Sequence, residues 1–331
     1  MIVITRTPVR ISFLGGGTDY SEFFMRHGGG EVLATAINKY SYIKVSRLHD
    51  FFEYRLRVGY SKTELVSSAE EVEHPSVREC LKFTKTPLPL EINYTGDLPS
   101  RTGLGSSSSF TVGLLNALHA YRGVVAGAEQ LAREALEVEH NWIHERVGYQ
   151  DQCMAAYGGL KHIKFYTPEN FEVTPVPLTA ARLQEFRAHL LVFYTGLTRY
   201  AHQVLKEQLK KTESDENTKG LLEMRALVGE GVRVLAGSNS LHEFGELLHR
   251  SWEIKRTLSS AITTPEIVAA YDRGRKAGAI GGKLLGAGGG GFLLFFVPQK
   301  KQRAVRAALA PMKELDLTFE PLGSQIIFHH P

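Results

Sequence analysis

The feature that most constrains this chain is where its glycines fall. Of its 32 glycines, 15 gather at residues 15–17, 28–30, 103–105 and 281–291. Glycine loses more backbone freedom on folding than any other residue, so a cluster needs a tight turn or a close approach to justify it. The cluster at 103–105 lies in Leu98–Gly113, which reads LPSRTGLGSSSSFTVG. Leu90–Thr95 before it reads as a strand, and Phe110–Tyr121 after it carries apolar residues at helical spacing. A glycine turn between strand and helix points backbone N–H groups at whatever sits on the positive end of the helix, which suits phosphate. Hydroxyls from Ser106 to Ser109 add hydrogen bonds or reach a divalent cation. A serine cap on an ordinary strand–turn–helix produces a similar string. The loop is not a Walker A motif, since no Gly-Lys-Ser/Thr follows, and G-x-G-x-x-G is absent.

The remaining totals narrow the class. The chain has 331 residues, of which 43% are hydrophobic and 22% charged, as in an ordinary globular protein large enough for two domains. A net charge of +4 without a basic run argues against nucleic acid but suits an anionic small molecule. Cys80 and Cys153 have neither CxxC nor Cys/His spacing, so a disulfide framework and a zinc site are unsupported, and a reducing, cytoplasmic setting is expected. The N-terminal MIVITRTPVRISFLG reads as strand with arginines inside it, not as a signal peptide. No apolar run reaches membrane-spanning length.

Taken in order, residues 2–14 are strand-like, with Pro8 marking an edge or turn. A glycine loop follows, and Thr18 or Asp19 can cap a short helix over Tyr20–Arg26. Strands are predicted over Val32–Asn38, Tyr40–Arg47, Phe51–Val58 and Leu88–Tyr94, with a helix at Pro75–Thr84. Helices follow at Ser106–Tyr121, Ala128–Glu145 and Gly148–Tyr157. The second places Leu131, Ala135, Val138 and Trp142 on one stripe. Strands are predicted at Gly159–Tyr166 and within Thr167–Pro177. Leu190–Thr195 reads as a buried strand. Helices are predicted over Tyr200–Lys211, Asn217–Ala236, Leu241–Ser259 and Pro265–Ala277. Strand Phe292–Val297, helix Lys300–Leu309 and strands Asp316–Glu320 and Ser324–Phe328 close the chain. Strands and helices alternate without a uniform βαβ period, which predicts α+β, with a division between 1–185 and 186–331.

Several residues carry candidate chemistry. Gly286 and Gly288–Gly291 place five glycines in six residues before an apolar strand. That is either a bulged hairpin or a flat backbone surface approached by a ligand or by the first loop. Glu139 on a helix and Asp151 just beyond it are an acidic pair. Beside a phosphate loop, one suits Mg²⁺ together with a serine, and the other suits orienting or deprotonating an attacking hydroxyl. Alone they read as a solvated face and a cap. Arg10, inside a strand pattern, needs a carboxylate or phosphate partner if buried. Thr195–Arg199, where a buried strand enters a helix, is a further anion site or an ordinary cap.

Three motifs in order make the chain resemble the GHMP kinases. These are Pro8–Tyr20 (PVRISFLGGGTDY), Gly103–Ser108 (GLGSSS) and Leu285–Gly291 (LGAGGGG). Within that family it is similar to the bacterial D-glycero-D-manno-heptose 7-phosphate 1-kinases, through FLGGGTDY, HGGGEVLATAINKY, VGYQDQ, AAYGGLKHIKF and TGLTR. The resemblance implies a two-lobed fold, with a ribosomal-protein-S5-like first lobe, a ferredoxin-like second lobe and the active site in the cleft between them. It implies ATP and Mg²⁺, with phosphoryl transfer to the anomeric hydroxyl of the heptose phosphate for nucleotide-activated heptose. Gly103, Leu104, Gly105, Ser106, Ser107 and Ser108 would meet the nucleotide phosphates. Ser107 and Glu139 would hold the metal, Asp151 would be the catalytic carboxylate, and Arg10 its partner. Gly16, Gly17, Thr18, Asp19, Gly288 and Gly289 would lie at the sugar. Galactokinase has Glu-His where this chain has Gly16-Gly17, which opens room and removes negative charge. A longer sugar ending in phosphate fits there, with Thr198, Arg199 and Lys255 as candidates for that phosphate. A homodimer through the second lobe is the family habit. The rivals are a fucose-type 1-kinase on an unphosphorylated sugar, a phosphomevalonate-type kinase, and a silent sensor that binds sugar and ATP.

Overall fold

The structure, a computed structural model, describes residues 1–99, 102–197, 210–238 and 240–331. The chain starts with β1 (Ile2–Leu14), α1 (Ser21–Phe24) and β2 (Gly30–Arg47). It continues through β3 (Leu56–Gly59), β4 (Thr63–Val66), α2 (Pro75–Thr84), β5 (Leu90–Gly96), α3 (Ser106–Tyr121) and α4 (Ala128–Glu137). A π-turn at Val138–Trp142 leads to α5 (Gln150–Tyr157), β6 (Leu160–Thr167), β7 (Asn170–Pro175) and α6 (Ala180–Ala188). The remainder is β8 (Leu190–Tyr194), α7 (Thr218–Ala236), α8 (His242–Lys255), α9 (Pro265–Lys276), β9 (Gly281–Leu284), β10 (Phe292–Phe296), α10 (Gln302–Leu309), β11 (Lys313–Glu314) and β12 (Gln325–His330).

Two sheets result. Eight strands form the first in the order β12-β1-β2-β5-β3-β4, with β6 beside β2 and β7 beside β6. Strand β2 serves two neighbours along one side: Ser41–Arg47 pair with β5 and Gly30–Thr35 with β6. The second sheet is β11-β8-β10-β9, antiparallel throughout. Strand β12 returns from the end of the chain to pair with the opening of β1, Ile2 opposite His330. A buried polar link fastens this return: the Thr7 and Ser324 hydroxyls meet at 2.8 Å, and Asn116 donates to Ser324 Oγ at 2.9 Å.

Burial along β1 explains its place. Its first half alternates, with Val3, Thr5 and Thr7 turned inward, whereas Val9 to Leu14 are buried on both faces. One face of the sheet meets α3, every residue of which from Ser108 to Ala120 is buried. Gly113 permits that approach, because a Cβ there would lie 2.7 Å from Thr7 Oγ1. On the other face, Val9, Ile11 and Phe13 join α6, α7, α8 and the second sheet in one core. Phe13, Phe186 and Phe244 pack edge-on, with centroids 4.8–5.8 Å apart.

The helices expected at Pro75–Thr84 and Ser106–Tyr121 form with those bounds. Several other expectations need correction. Strand β1 runs through Pro8; the register with β2 slips between Pro8 and Val9, and β12 reaches only Arg6, so the missing N–H falls at a bulge. Phe51–Val58 is strand only from Leu56 onward, and the Phe51 ring is 98% exposed. The helix expected to run to Glu145 changes pitch at Val138, which rotates Trp142 off the buried stripe to 39% exposure. Thr18 and Asp19 do not cap α1, whose N-cap is Tyr20. Asp316–Glu320 contributes a single bridge, Phe319 to Ile37. Helix α6 was not anticipated; Thr179 Oγ1 caps it by accepting from Arg182 N at 3.2 Å. Most of the helix expected at Tyr200–Lys211 falls outside the described residues. No helix among the described residues is long and apolar enough to cross a membrane.

Phe186 is fully buried where α6 locks onto β1 and α8. Phe186→Ala should cost about 3–5 kcal/mol of unfolding free energy, read as a lowered urea midpoint at unchanged slope.

Candidate active site

The end of β1, the loop after it, the glycine turn before α3, the start of α5 and the loop after β9 enclose a cleft of about 670 Å³. That is ample for a small metabolite beside a nucleotide. At its centre Arg10 grips Asp151 with both arms: Nε donates to Oδ1 at 2.6 Å and Nη2 to Oδ2 at 2.8 Å. The third arm, Nη1, donates to Gly103 O at 2.8 Å. Arg10 is 7% exposed, so its charge needs this partner, while Asp151 keeps 24% exposure toward the cleft.

The glycine turn is fixed from both sides. The Arg10 backbone N–H donates to Leu104 O at 2.9 Å, and the Leu104 side chain is buried in the shared core. Gly103 has φ +80°, and a Cβ there would lie 2.8 Å from Leu285 O. Gly286 has φ +71°, and its Cβ would lie 2.3 Å from Gly103 Cα. The two glycine loops therefore meet backbone to backbone, as one of the two readings of 286–291 expected. Gly105 is the N-cap of α3, and Ser106 and Ser107 line the cleft on the first turn.

Glu139 lies on the π-turn, a helical irregularity often found at functional sites. It is 1% exposed; its Oε2 accepts from Ser108 Oγ at 2.9 Å and from Gln152 Nε2. Its Oε1 is buried without a hydrogen bond. Burial, reinforced by Glu145, pushes its carboxyl up to about 7, against the side chains of Thr111, Gln152 and Ser108. A carboxylate oxygen with no hydrogen bond, next to serine hydroxyls, is a hard-oxygen donor set that fits Mg²⁺. The serine in contact with Glu139 is Ser108; Ser107 stands exposed on the cleft side.

Asp19 is 1% exposed and organises the end of the cleft beside the loop after β1. It accepts from Gly17 N at 2.9 Å and Gln150 Nε2 at 2.9 Å, and Tyr149 N donates to its backbone carbonyl at 2.9 Å. Burial, with the Asp151 charge added, raises its carboxyl. Gly16 and Gly17 line the cleft beside two buried atoms without hydrogen bonds, Ser12 Oγ and Gln150 Oε1. Thr18 is fully buried and pins the loop instead, donating to Gly15 O and Glu31 O at 2.8 Å each. Gly288 and Gly289 pack on Ile262, with Gly289 N donating to Ile262 O at 2.8 Å, while Gly286 and Ala287 line the cleft. Thr198 and Arg199 fall outside the described residues.

Three features escaped sequence reasoning. Lys283, in an apolar strand, is 2% exposed and lines the cleft near Lys255, which is 8% exposed. Ser12, next to Phe13, is the second. The third is an aromatic bay beyond the glycine turn, in which His74 stacks on Phe110 at 4.9 Å and meets the Tyr60 ring edge-on at 4.9 Å. Burial lowers His74, and its Nδ1 has no hydrogen bond. These residues lie far apart in the chain without a shared spacing, and only the sharp switch to glycine beside Lys283 hinted at a site.

A carboxylate held by an arginine and facing a glycine turn at a helix N-terminus is the arrangement of a small-molecule kinase. Known proteins agree. Residues 75–159 match the GHMP kinases N terminal domain and residues 232–314 the GHMP kinases C terminal domain. The D-glycero-alpha-D-manno-heptose 7-phosphate kinase of Campylobacter jejuni is 28% identical, covering 92% of each chain. Galactokinase of Thermotoga maritima is 26% identical over 98% of this chain and 96% of its own. The crystal structure of a D-glycero-D-manno-heptose 1-phosphate kinase from Bacteroides thetaiotaomicron superposes with TM-score 0.78 at 21% identity, covering 100% of both chains. The chain belongs to the GHMP kinase family, shares its fold and is a kinase.

Burial, with the Arg10 cation beside it, lowers the Lys255 ammonium to about 8. The unfolded chain holds that proton up to the ordinary value of 10.5, so between 8 and 10.5 the unfolded state binds more protons and stability rises with pH. Wild type should therefore gain stability relative to Lys255→Met as pH rises through this window, measured by urea unfolding of both proteins.

Proposed function

We propose that this kinase transfers the γ-phosphoryl group of ATP to the anomeric C1 hydroxyl of D-glycero-D-manno-heptose 7-phosphate, giving the 1,7-bisphosphate. Such a product suits nucleotide-activated heptose for lipopolysaccharide or capsule. The observation that carries the reading is the Arg10–Asp151 pair beside Gly105, where a Cβ would lie 3.2 Å from the Asp151 carboxylate. An acceptor oxygen at Asp151 then lies next to the N-terminus of α3. The relative from Campylobacter jejuni supports the choice of sugar, as does the room left by Gly16 and Gly17.

Asp151 accepts the hydroxyl proton as the new O–P bond forms and the bond to the ADP oxygen breaks. Arg10 orients Asp151 and offsets charge as the phosphoryl group moves. Gly103, Leu104, Gly105, Ser106, Ser107 and Ser108 cradle the nucleotide phosphates, and the bay of Tyr60, His74 and Phe110 takes the adenine by stacking. Glu139, with Ser107 or Ser108, holds Mg²⁺, which when bound neutralises phosphate charge. Asp19 and the N–H group of Gly16 fix the sugar hydroxyls, the Gly17 N–H holds Asp19 in place beside them, and Thr18 fixes their loop. The lobes, 1–185 and 186–331, close on each other across the cleft, with β12 crossing back. All substrates are small molecules, and the setting is the cytoplasm.

Asp151→Asn keeps the shape and removes the base. It should lower turnover about 10²–10⁴-fold while ATP binding stays near wild type, and the melting temperature should fall because Arg10 loses its counter-charge. ADP release, coupled and compared across heptose 7-phosphate, mannose 6-phosphate, fucose, galactose and phosphomevalonate, tests the acceptor. Preference for fucose or galactose overturns the heptose assignment, and no ADP release with any acceptor overturns catalysis.

A further inference from the structure

Lys255 and Lys283 are a pair of buried lysines for which the described residues provide no carboxylate within bonding distance. Lys283 Nζ donates to Phe13 O at 2.8 Å, and Lys255 Nζ donates to Leu284 O at 3.2 Å and to Gly286 O. These acceptors are neutral carbonyls, and an ammonium has three N–H donors. Lys283 has spent one and Lys255 two. Neither forms an ion pair among the described residues. Of the other charges in the cleft floor, Arg10 and Asp151 cancel each other, and Asp19, hydrogen-bonded to Gly17 and Gln150, is one carboxyl acting through space on two lysines. The Ser12 hydroxyl, one residue from the carbonyl that holds Lys283, is buried without a partner, as is Gln150 Oε1.

Burying an uncompensated ammonium is costly. Burial and the neighbouring Lys255 and Arg10 cations accordingly push Lys283 well down. A lysine kept only to brace β9 against β1 through Phe13 O would do so without facing a cleft. The nucleotide phosphates already have their own cradle at the N-terminus of α3. The charge left over belongs to a second anion.

We propose that Lys255 and Lys283 form an anion site for a phosphate monoester carried by the acceptor, and so select phosphorylated over unphosphorylated sugars. The inference rests on the sugar-kinase reading of the same cleft. Lys283 is the specificity-determining residue, gripped at Phe13 O and presenting its two remaining N–H donors to the ester, with Ser12 Oγ beside it as a further donor.

The test is steady-state kinetics with ATP, comparing D-glycero-D-manno-heptose 7-phosphate with D-glycero-D-manno-heptose in wild type, Lys283→Met and Lys255→Met. The ratio of kcat/KM for the ester to that for the free sugar should fall at least tenfold in each variant. A parallel fall for both sugars would overturn the proposal and make the lysines braces, or contacts to the transferred group. Calorimetry needs no acceptor assignment and no turnover. With a non-hydrolysable ATP analogue saturating the nucleotide site, inorganic phosphate should bind wild type and bind Lys283→Met at least tenfold more weakly. Equal binding to both, or none to wild type, overturns the anion site. Phosphate binding that depends on Lys283 in an enzyme inactive on both heptoses would support the site and overturn the heptose reading. Should the variants fail to fold, inhibition of wild type decides: phosphate competitive with the ester supports the proposal, and phosphate competitive only with ATP overturns it.

Discussion

The rest of the site depends on a contact that contains no side chain. Gly103 and Gly286 come from loops nearly two hundred residues apart, and each occupies the space in which the other's Cβ would stand. Gly291 and Thr102 repeat the approach one step along, where a Cβ on Gly291 would lie 2.3 Å from Thr102 O. Because both backbones run at left-handed φ, glycine is required for conformation as well as for space. This contact sets where the Gly103 carbonyl points. That carbonyl receives Nη1 of Arg10, and Arg10 then sets the plane of Asp151. A backbone contact between the two halves is thus converted, through one guanidinium, into the orientation of a carboxylate. A bidentate pair suits the task because it fixes an angle as well as a distance.

The electrostatics of the cleft follow from the same crowding. Strand β1 is buried on both faces where it carries Arg10, so charges here sit in a poor solvent. Each carboxyl of the site answers this differently. Asp151 is matched by a guanidinium, Asp19 by backbone and amide N–H groups, and Glu139 on one oxygen alone. The two buried lysines are matched only by backbone carbonyls, on the floor of the cleft near Arg10. A chain with a net charge of only +4 can therefore concentrate an attractive potential where an anion must enter, without a basic surface.

Much of the scaffold was legible because local signals agreed. Pro75 at the first helical position and the apolar spacing over Phe110–Tyr121 agree with the two helices that form. The glycine clusters were legible as constraints, though nothing local said that two of them would touch. Arg10 and Asp151 came together through resemblance, since 141 residues separate them and each alone reads as a surface charge or a cap. Lys283 was missed because a lysine in GGKLL looks like an edge-strand charge until both its faces are known to be covered. The aromatic bay was missed because Tyr60, His74 and Phe110 share no periodicity. Phe51–Val58 misled in the opposite direction: Leu56 and Val58 are buried in β3, but the alternation before Leu56 lies outside any strand and leaves Phe51 exposed.

The return of β12 to the start of β1 has a consequence for how the chain assembles. Ile2 pairs with both Ser46 and His330, so the first strand has one neighbour available within the opening fifty residues and another that emerges more than three hundred residues later. During synthesis from the N-terminus, the Ile2–Arg6 segment waits as an open edge while the whole second sheet is made. Contacts of such long sequence separation close late and slow the final step. The Thr7–Ser324–Asn116 link, buried and polar, then acts as a latch that engages only in the correct register.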